Sequence, residues 1–350
     1  MALDPGASTH PLLNEGQRAS LGIPAIGTFS VWVEVRPVWP STLGDTNLSD
    51  NVAYRSEPVV VRPGASLPYR AVNDYNGDGC SDLSLYDSVA GRWYIATLWA
   101  GTASPLAWGA LWGGPGFTPV RGDYDGDRVS DLAIYSENNG KWYVLSGNGT
   151  IPAWGLATVG FGVPTPGWYA GQAMSDAGVY ESASGNWYVK TPGEQAVVWG
   201  VNWGGNAFVP VYGDYDGDGV WDLGVYDAIN GKWYVRRVDG TLIAWGLSWG
   251  GIGLEPVPGD YDGDGRWDLA VYASNSGKWF ICRADGIVLA WDVFWGGSGL
   301  IPVSGDYDGD GVWDLAFYQE STGTWFVRTL AGEILAQGAY WGGSGLTPVQ

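Results

Sequence analysis

Histidine is almost absent: among 350 residues the only one is His10. A Ser–His or Cys–His catalytic pair needs an imidazole beside its nucleophile, so the body of the chain cannot assemble one. Cysteine is scarce too. Cys80 and Cys282 stand outside any CxxC pattern, which excludes a readable zinc or disulfide framework; both read as buried free thiols. Basic residues number 17 against 37 acidic ones, a formal net charge of −20. Such a chain carries no electrostatic footprint for nucleic acid or anionic lipid. No apolar run is long enough to span a bilayer, so no membrane insertion is expected. Residues 1–20 lack a basic start followed by an apolar stretch, so they read as a flexible tail and not as a signal peptide.

What is abundant is glycine (57), tryptophan (23) and tyrosine (20), a composition suited to short strands and tight turns. These residues recur in register. The stretch Gly305 to Leu315, GDYDGDGVWDL, has near copies starting at Gly213 and Gly259, looser ones at Gly122 and Asn73, and a decayed one at Gly167. The first acidic position falls at Asp74, Asp123, Trp168, Asp214, Asp260 and Asp306, every 45–49 residues. A period of this length marks a stacked or radial repeat. The best copy reads as an extended segment Leu254 to Pro258, the acidic loop, a strand Leu269 to Tyr272, a turn at Gly277, a strand Trp279 to Arg283, and a strand Ile287 to Trp291 after the hairpin pair Asp285-Gly286. Four strands per unit is the blade of a β-propeller. Unbroken columns of Tyr (86, 135, 180, 226, 272, 318) and Trp (93, 142, 187, 233, 279, 325), with small residues two places before the Tyr, read as wedge-shaped blade cores.

The repeat, D-x-D-G-D-G-x-x-D followed by L-x-V-Y and G-x-W-Y/F-V, resembles the FG-GAP or VCBS repeat of integrin α-subunit-like propellers. The resemblance covers about Leu67 to Gln350. It implies an all-β propeller, bound calcium and an exported location. Six loops predict six blades. Integrin-like propellers have seven, and the terminal segment GLTPVQ either closes the ring or opens a seventh blade completed by strands from residues 28–62. Six is the expectation. Residues 21–66, with extended candidates Thr28 to Arg36 and Asn51 to Arg62, read as a short β segment, the end of an Ig-like module or a blade-completing extension.

Acids at positions 1, 3 and 5 of a tight loop, a carbonyl at 7 and an acid at 9 form an all-oxygen shell. Such a shell suits a hard cation, and its ligand count favours Ca²⁺ over Mg²⁺. Five sites are expected. The first uses Asp74, Asn76, Asp78, Cys80 and Asp82. The second uses Asp123, Asp125, Asp127, Val129 and Asp131, with Arg128 replacing a loop glycine and straining or weakening the site. The others use Asp214, Asp216, Asp218, Val220 and Asp222; Asp260, Asp262, Asp264, Arg266 and Asp268; and Asp306, Asp308, Asp310, Val312 and Asp314. Cys80, Val129, Val220, Arg266 and Val312 contribute only their carbonyls. The third loop keeps only Asp176 and is expected to hold no metal. An EF-hand is excluded because its position-12 glutamate is replaced by Leu85, Ile134, Val225, Val271 and Phe317.

Candidate ligand positions lie where the repeats disagree. Two Trp columns flank the WG–WGG segment: Trp108, Trp154, Trp199, Trp245, Trp291, then Gln337; and Trp112, Thr158, Trp203, Trp249, Trp295, Trp341. Exposed indoles stack on sugar rings, and Trp108, Trp203, Trp249, Trp295 and Trp341 are taken as the candidate platform. Trp221, Trp267 and Trp313 replace Ser81, Ser130 and Ser175 in the last three repeats. Arg121-Gly122-Asp123 spells an adhesion tripeptide, yet Asp123 is also a loop ligand. The functional expectation is a calcium-stabilised, extracellular or cell-surface propeller without enzymatic activity, a monomeric module of a larger surface protein that binds a protein partner. A lectin-like carbohydrate-binding propeller is the alternative, and an accessory domain of a polysaccharide-active enzyme the third.

Overall fold

The computed structural model describes residues 71–350. The extended segments expected at Thr28 to Arg36 and Asn51 to Arg62 lie outside them. The described residues form 24 strands in six four-stranded antiparallel sheets. The fold is all-β, a propeller of six blades.

The fifth blade shows the unit: a short leading strand Glu255–Pro256, then Leu269–Ala273, Lys278–Cys282 and Val288–Phe294, adjacent in that order. The acidic loop links the leading strand to the second. In every blade the second strand is buried along nearly its whole length, as in LAVYA at Leu269–Ala273. The third alternates, with Trp279 and Ile281 inward. The invariant Trp of the third strand is fully buried in all six blades and packs on the Tyr opposite it, as Tyr226 on Trp233 at 5.0 Å. Its indole Nε1 donates to a backbone carbonyl at the end of the fourth strand, Trp249 O in the case of Trp233 (2.7 Å). In blade two the acceptor is Thr158 Oγ1 at 3.3 Å, so the break in that column keeps its hydrogen bond.

The invariant glycine before the third strand answers two constraints at once. Gly231 has φ of 64°, and a Cβ there would lie 2.4 Å from the backbone of Gly250 in the returning WGG turn. A left-handed backbone and a contact this close together leave only glycine.

The ring closes through its own end. Thr347–Pro348 pairs with Leu83–Asp87 (Tyr86 opposite Thr347, Leu85 opposite Pro348), and Val349 N donates to Ser84 O at 3.1 Å. The terminal GLTPVQ is therefore the leading strand of the first blade. This corrects the seven-blade alternative: the segment that would have opened another blade is already paired. Asn73 Nδ2 donates to Val349 O (3.1 Å), tying both ends of the described chain together. Removing residues 347–350 is expected to unpair the first blade and lower the thermal unfolding midpoint by roughly 5 °C or more, measured by scanning calorimetry against the intact chain.

Candidate functional site

The loops are joined to one another. In each, the N–H at position 8 donates to the position-1 carbonyl of the loop before it. The bonds are Ser130 to Asp74, Ser175 to Asp123, Trp221 to Trp168, Trp267 to Asp214, Trp313 to Asp260, and Ser81 to Asp306, at 2.5–3.1 Å. Six such bonds run once round the ring. The third loop takes part although its acids are lost, since Trp168 offers a carbonyl as well as any Asp. Its retained Asp176 has a structural use too: its carboxylate accepts from Ala170 N at 2.8 Å. The equivalent Asp222, Asp268 and Asp314 accept from Tyr215, Tyr261 and Tyr307 N at 2.9 Å. Asp at position 9 thus clamps the loop through its own carboxylate.

Within each acidic loop the other carboxylates fold the backbone inward. Asp214 Oδ1 accepts from Gly217 N (2.7 Å) and Oδ2 from Gly219 N (2.8 Å), while Asp218 Oδ1 accepts from Val220 N (2.8 Å). Asp260, Asp264 and Arg266 repeat this pattern, as do Asp306, Asp310 and Val312. In the first loop Asp74 Oδ2 accepts from Gly79 N, Asp78 Oδ1 from Cys80 N, and Asn76 Nδ2 lies 3.5 Å from Asp82 Oδ1. Arg128 keeps the second loop's bond, donating from its N–H to Asp123 Oδ2 at 2.8 Å, but at φ of 73°. The strain expected of this substitution is in the backbone, and the loop's hydrogen bonding survives it.

Carboxylate oxygens converge in four loops, within 4.8 Å of one another: Asp123, Asp125 and Asp127; Asp214, Asp216 and Asp218; Asp260, Asp262 and Asp268; Asp306, Asp308 and Asp314. These clusters are able to hold a metal ion. Without one, burial, reinforced by the neighbouring carboxylates, pushes Asp131, Asp222, Asp268 and Asp314 up to about 8. Asp82 lies well above its ordinary value for the same reasons. Burial alone raises Asp176 to about 7. A positive charge among these oxygens would offset both the burial and the mutual repulsion of the carboxylates.

The Ser-to-Trp change along the chain becomes intelligible in the ring. Trp221, Trp267 and Trp313 are buried and meet in sequence at steep angles, 5.0 Å and 59° then 4.9 Å and 61° between rings. Each lies on the glycine that opens the preceding loop: a Cβ on Gly213 would sit 2.2 Å from Trp267. Arg121, from blade two on the opposite side of the ring, reaches these indoles, with its guanidinium carbon 5.8 Å from Trp267 and 5.9 Å from Trp313. The tripeptide Arg121-Gly122-Asp123 is thus folded into the ring. Arg121 stacks across the axis, and Asp123 is 7% exposed with its carboxylate turned onto the loop's own N–H groups.

The two Trp columns separate sharply. The second staples neighbouring blades: Trp203 Nε1 donates to Tyr234 O (3.2 Å), Trp249 to Phe280 O (3.1 Å), Trp295 to Leu315 O (2.9 Å) and Trp341 to Tyr94 O (3.4 Å). Trp341 is only 5% exposed. The first column stands outward, with Trp108 67%, Trp154 70%, Trp199 51%, Trp245 68% and Trp291 67% exposed. The structure moves the candidate platform accordingly. Of the five indoles chosen from sequence only Trp108 is outward, and Trp154, Trp199, Trp245 and Trp291 join it in place of Trp203, Trp249, Trp295 and Trp341. The signal was present in the fourth strand, where each outward Trp follows a buried small residue (Ala107, Ala153, Val198, Ala244, Ala290).

A local bulge sets the pose. The register shifts between Trp233 and Tyr234, next to the pair Tyr234–Trp245, and again between Val235 and Arg236, and Gly246 after the Trp has φ of 66°. Each outward Trp meets an aromatic of the third strand edge-on, as Trp108 on Tyr94 (5.2 Å, 83°) and Trp245 on Tyr234 (5.4 Å, 87°). Four also touch a stapling Trp of the blade before: Trp108 with Trp341, Trp154 with Trp112, Trp245 with Trp203, Trp291 with Trp249. Where a column breaks, a cation packs on the remaining indole: Lys190 over Trp199 beside Thr158, and Arg328 over Trp295 beside Gln337.

No protein-family model matches the chain, and no curated protein matches it. Among solved structures, a lectin of Agrocybe aegerita that recognises non-reducing terminal N-acetylglucosamine is similar at 14% identity over 76% of this chain and 79% of that one, TM-score 0.48. A streptogramin B lyase is similar at 12% identity over 62% and 66%, TM-score 0.41. The dihydro-heme d1 dehydrogenase NirN is similar at 14% identity over 78% and 56%, TM-score 0.40. At these identities and scores they assign no ligand or activity.

Two outcomes follow from the loops. Arg128→Gly is expected to stabilise the protein by about 1 kcal/mol, by relieving a left-handed non-glycine backbone, read from thermal or urea unfolding. In chelator, stability is expected to fall as pH rises from about 5 to about 9. Folded carboxylates near 7–8 bind protons there that the unfolded chain, near 4, has released, so the native state is the more protonated. Unfolding midpoints across that range, with and without added divalent cation, check the sign.

Proposed function

We propose that the protein is a calcium-braced carbohydrate-binding propeller, acting outside the cell or at its surface by binding and not by catalysis. The observation that carries this reading is the belt of five outward indoles, Trp108, Trp154, Trp199, Trp245 and Trp291. An indole held edge-on by a neighbouring ring keeps a flat apolar face open to water. The C–H face of a pyranose fits such a surface, and the energy comes from apolar contact without the sugar's hydroxyls leaving solvent. Repetition about a rigid ring gives several weak sites one geometry, so avidity and not single-site affinity is the expected mode on a polymeric or clustered glycan.

Calcium is the proposed occupant of the acidic loops. It fits the converging oxygens and their raised carboxylate pKa values, and the FG-GAP resemblance points the same way. Bound there, it supplies positive charge that holds each loop against its strand. Asp214, Asp216, Asp218 and Asp222, and their counterparts in the other acidic loops, are the residues that would hold it. The binding face is the blade flank, and the loops serve to keep that flank in place. Protein adhesion, the first expectation from sequence, draws no support from the folded-in Arg121-Gly122-Asp123 tripeptide.

A glycan array with calcium present, followed by titration of the best polysaccharide hit monitored by tryptophan fluorescence, tests the reading. Trp108→Ala and Trp245→Ala are each expected to weaken binding up to about tenfold with little change in melting. Trp203→Ala is expected to lower stability by about 3 kcal/mol or more. Absence of any glycan hit on the calcium-saturated protein, or binding indifferent to all five outward indoles, would reject it.

A further inference from the structure

We infer that Arg237 and Arg283 are resident counter-ions of the acidic loops in blades four and five, and that they divide the cation sites of the ring into two affinity classes. The inference rests on the reading that these loops take up calcium.

Both arginines occupy one position, just after the third strand. At this position, four residues after the invariant Trp, the six blades carry Thr97 (within the longer strand Arg92–Trp99), Ser146, Thr191, Arg237, Arg283 and Thr329. Four blades place a hydroxyl and two a full positive charge. Arg237 Nε donates to Asp216 Oδ2, and Arg237 Nη1 lies 3.2 Å from Asp218 Oδ2. Arg283 Nη2 lies 2.7 Å from Asp264 Oδ2, and Nη1 lies 3.5 Å from Asp262 Oδ2. In each case one guanidinium bridges the carboxylates at loop positions 3 and 5; both belong to the converging cluster in blade four, and the position-3 Asp262 does so in blade five. In blade two the hydroxyl of Ser146 donates to Asp125 Oδ2 at 2.7 Å instead, orienting the carboxylate without cancelling its charge.

The physical consequence has two sides. A guanidinium neutralises part of the loop's charge permanently, so blades four and five tolerate an empty loop better. The same charge opposes a divalent cation arriving at the same oxygens. At contact distance in a water-exposed setting this repulsion corresponds to roughly a ten- to thirtyfold loss of affinity. The guanidiniums are about one-third exposed (38% for Arg237, 29% for Arg283), so each can swing aside into solvent when a cation binds. The opposition is therefore graded and does not block the site.

Calcium titration calorimetry on the full chain tests this. The unmodified protein is expected to bind in a tight and a weak class. The double variant Arg237→Thr/Arg283→Thr is expected to move two sites roughly tenfold tighter, and Thr329→Arg to weaken one. Melting in chelator supplies an arm independent of calcium. There the double variant is expected to unfold at lower temperature than the unmodified chain, and saturating calcium is expected to close the gap. Equal melting in chelator would overturn the counter-ion assignment outright. An isotherm unchanged by the double substitution would overturn the two affinity classes. If the unmodified chain took up no calcium, the calcium reading itself would fail, and the chelator curves would still decide the role of the arginines.

Discussion

The structure depends on a circle of backbone hydrogen bonds from loop to loop, each running from position 8 of one acidic loop to the position-1 carbonyl of the loop before. A propeller blade touches only its neighbours, so the ring needs some element that fixes each blade to the next in register. Here that element is main chain, which explains its indifference to side-chain loss. The third loop has given up three of its four acids, yet Trp168 still accepts from Trp221 and Asp176 still clamps the turn. In the proposed reading a cation would sit on top of this circle, adding charge compensation to loops whose path the backbone already holds.

The circle has six positions but not sixfold symmetry. Three small serines and three tryptophans in tilted and edge-on contact share one column, and Arg121 crosses the axis from the serine half to lie against Trp267 and Trp313. Large rings on one side and a long cation reaching from the other fill one axial space. The glycines that open the loops follow from the same packing, because an indole of the next blade rests directly on Gly167, Gly213 and Gly259.

Between blades the aromatic residues divide their labour by strand position. Stapling indoles turn inward and donate Nε1 to a neighbouring backbone; Trp341 is buried, and Trp112, Trp203, Trp249 and Trp295 are half-buried. Outward indoles four residues earlier in the chain are held edge-on and keep a face in water. A rigid inner circle and five outward indoles together give the multivalent surface of the proposed reading, with a spacing set by the fold. Arg237 and Arg283 show that the acidic loops are not equivalent either, since the hairpin above each loop supplies a hydroxyl or a charge.

Much of this was legible along the chain. The repeat spacing, the alternation of the buried strands and the unbroken Tyr, Trp and Gly columns carried the propeller, because each blade is a local structure whose contacts recur at a fixed offset. The loop acids were legible for the same reason: in four loops, three of the acids at positions 1, 3, 5 and 9 converge within one short turn. What depended on partners distant in sequence was not. Whether GLTPVQ closed the first blade or opened a seventh rested on its pairing with Leu83–Asp87 at the far end of the repeats. The opposite roles of two similar Trp columns rested on a bulge that turns one outward and on neighbouring-blade carbonyls that receive the other. Arg121 looked like part of a peptide motif until the ring placed it against blades five and six. Local sequence determined the blade and its acidic loop, since hydrogen bonding and burial within some forty-six residues suffice for both. Only closure of the ring decided which surfaces remain open, because exposure is a property of what the other blades cover.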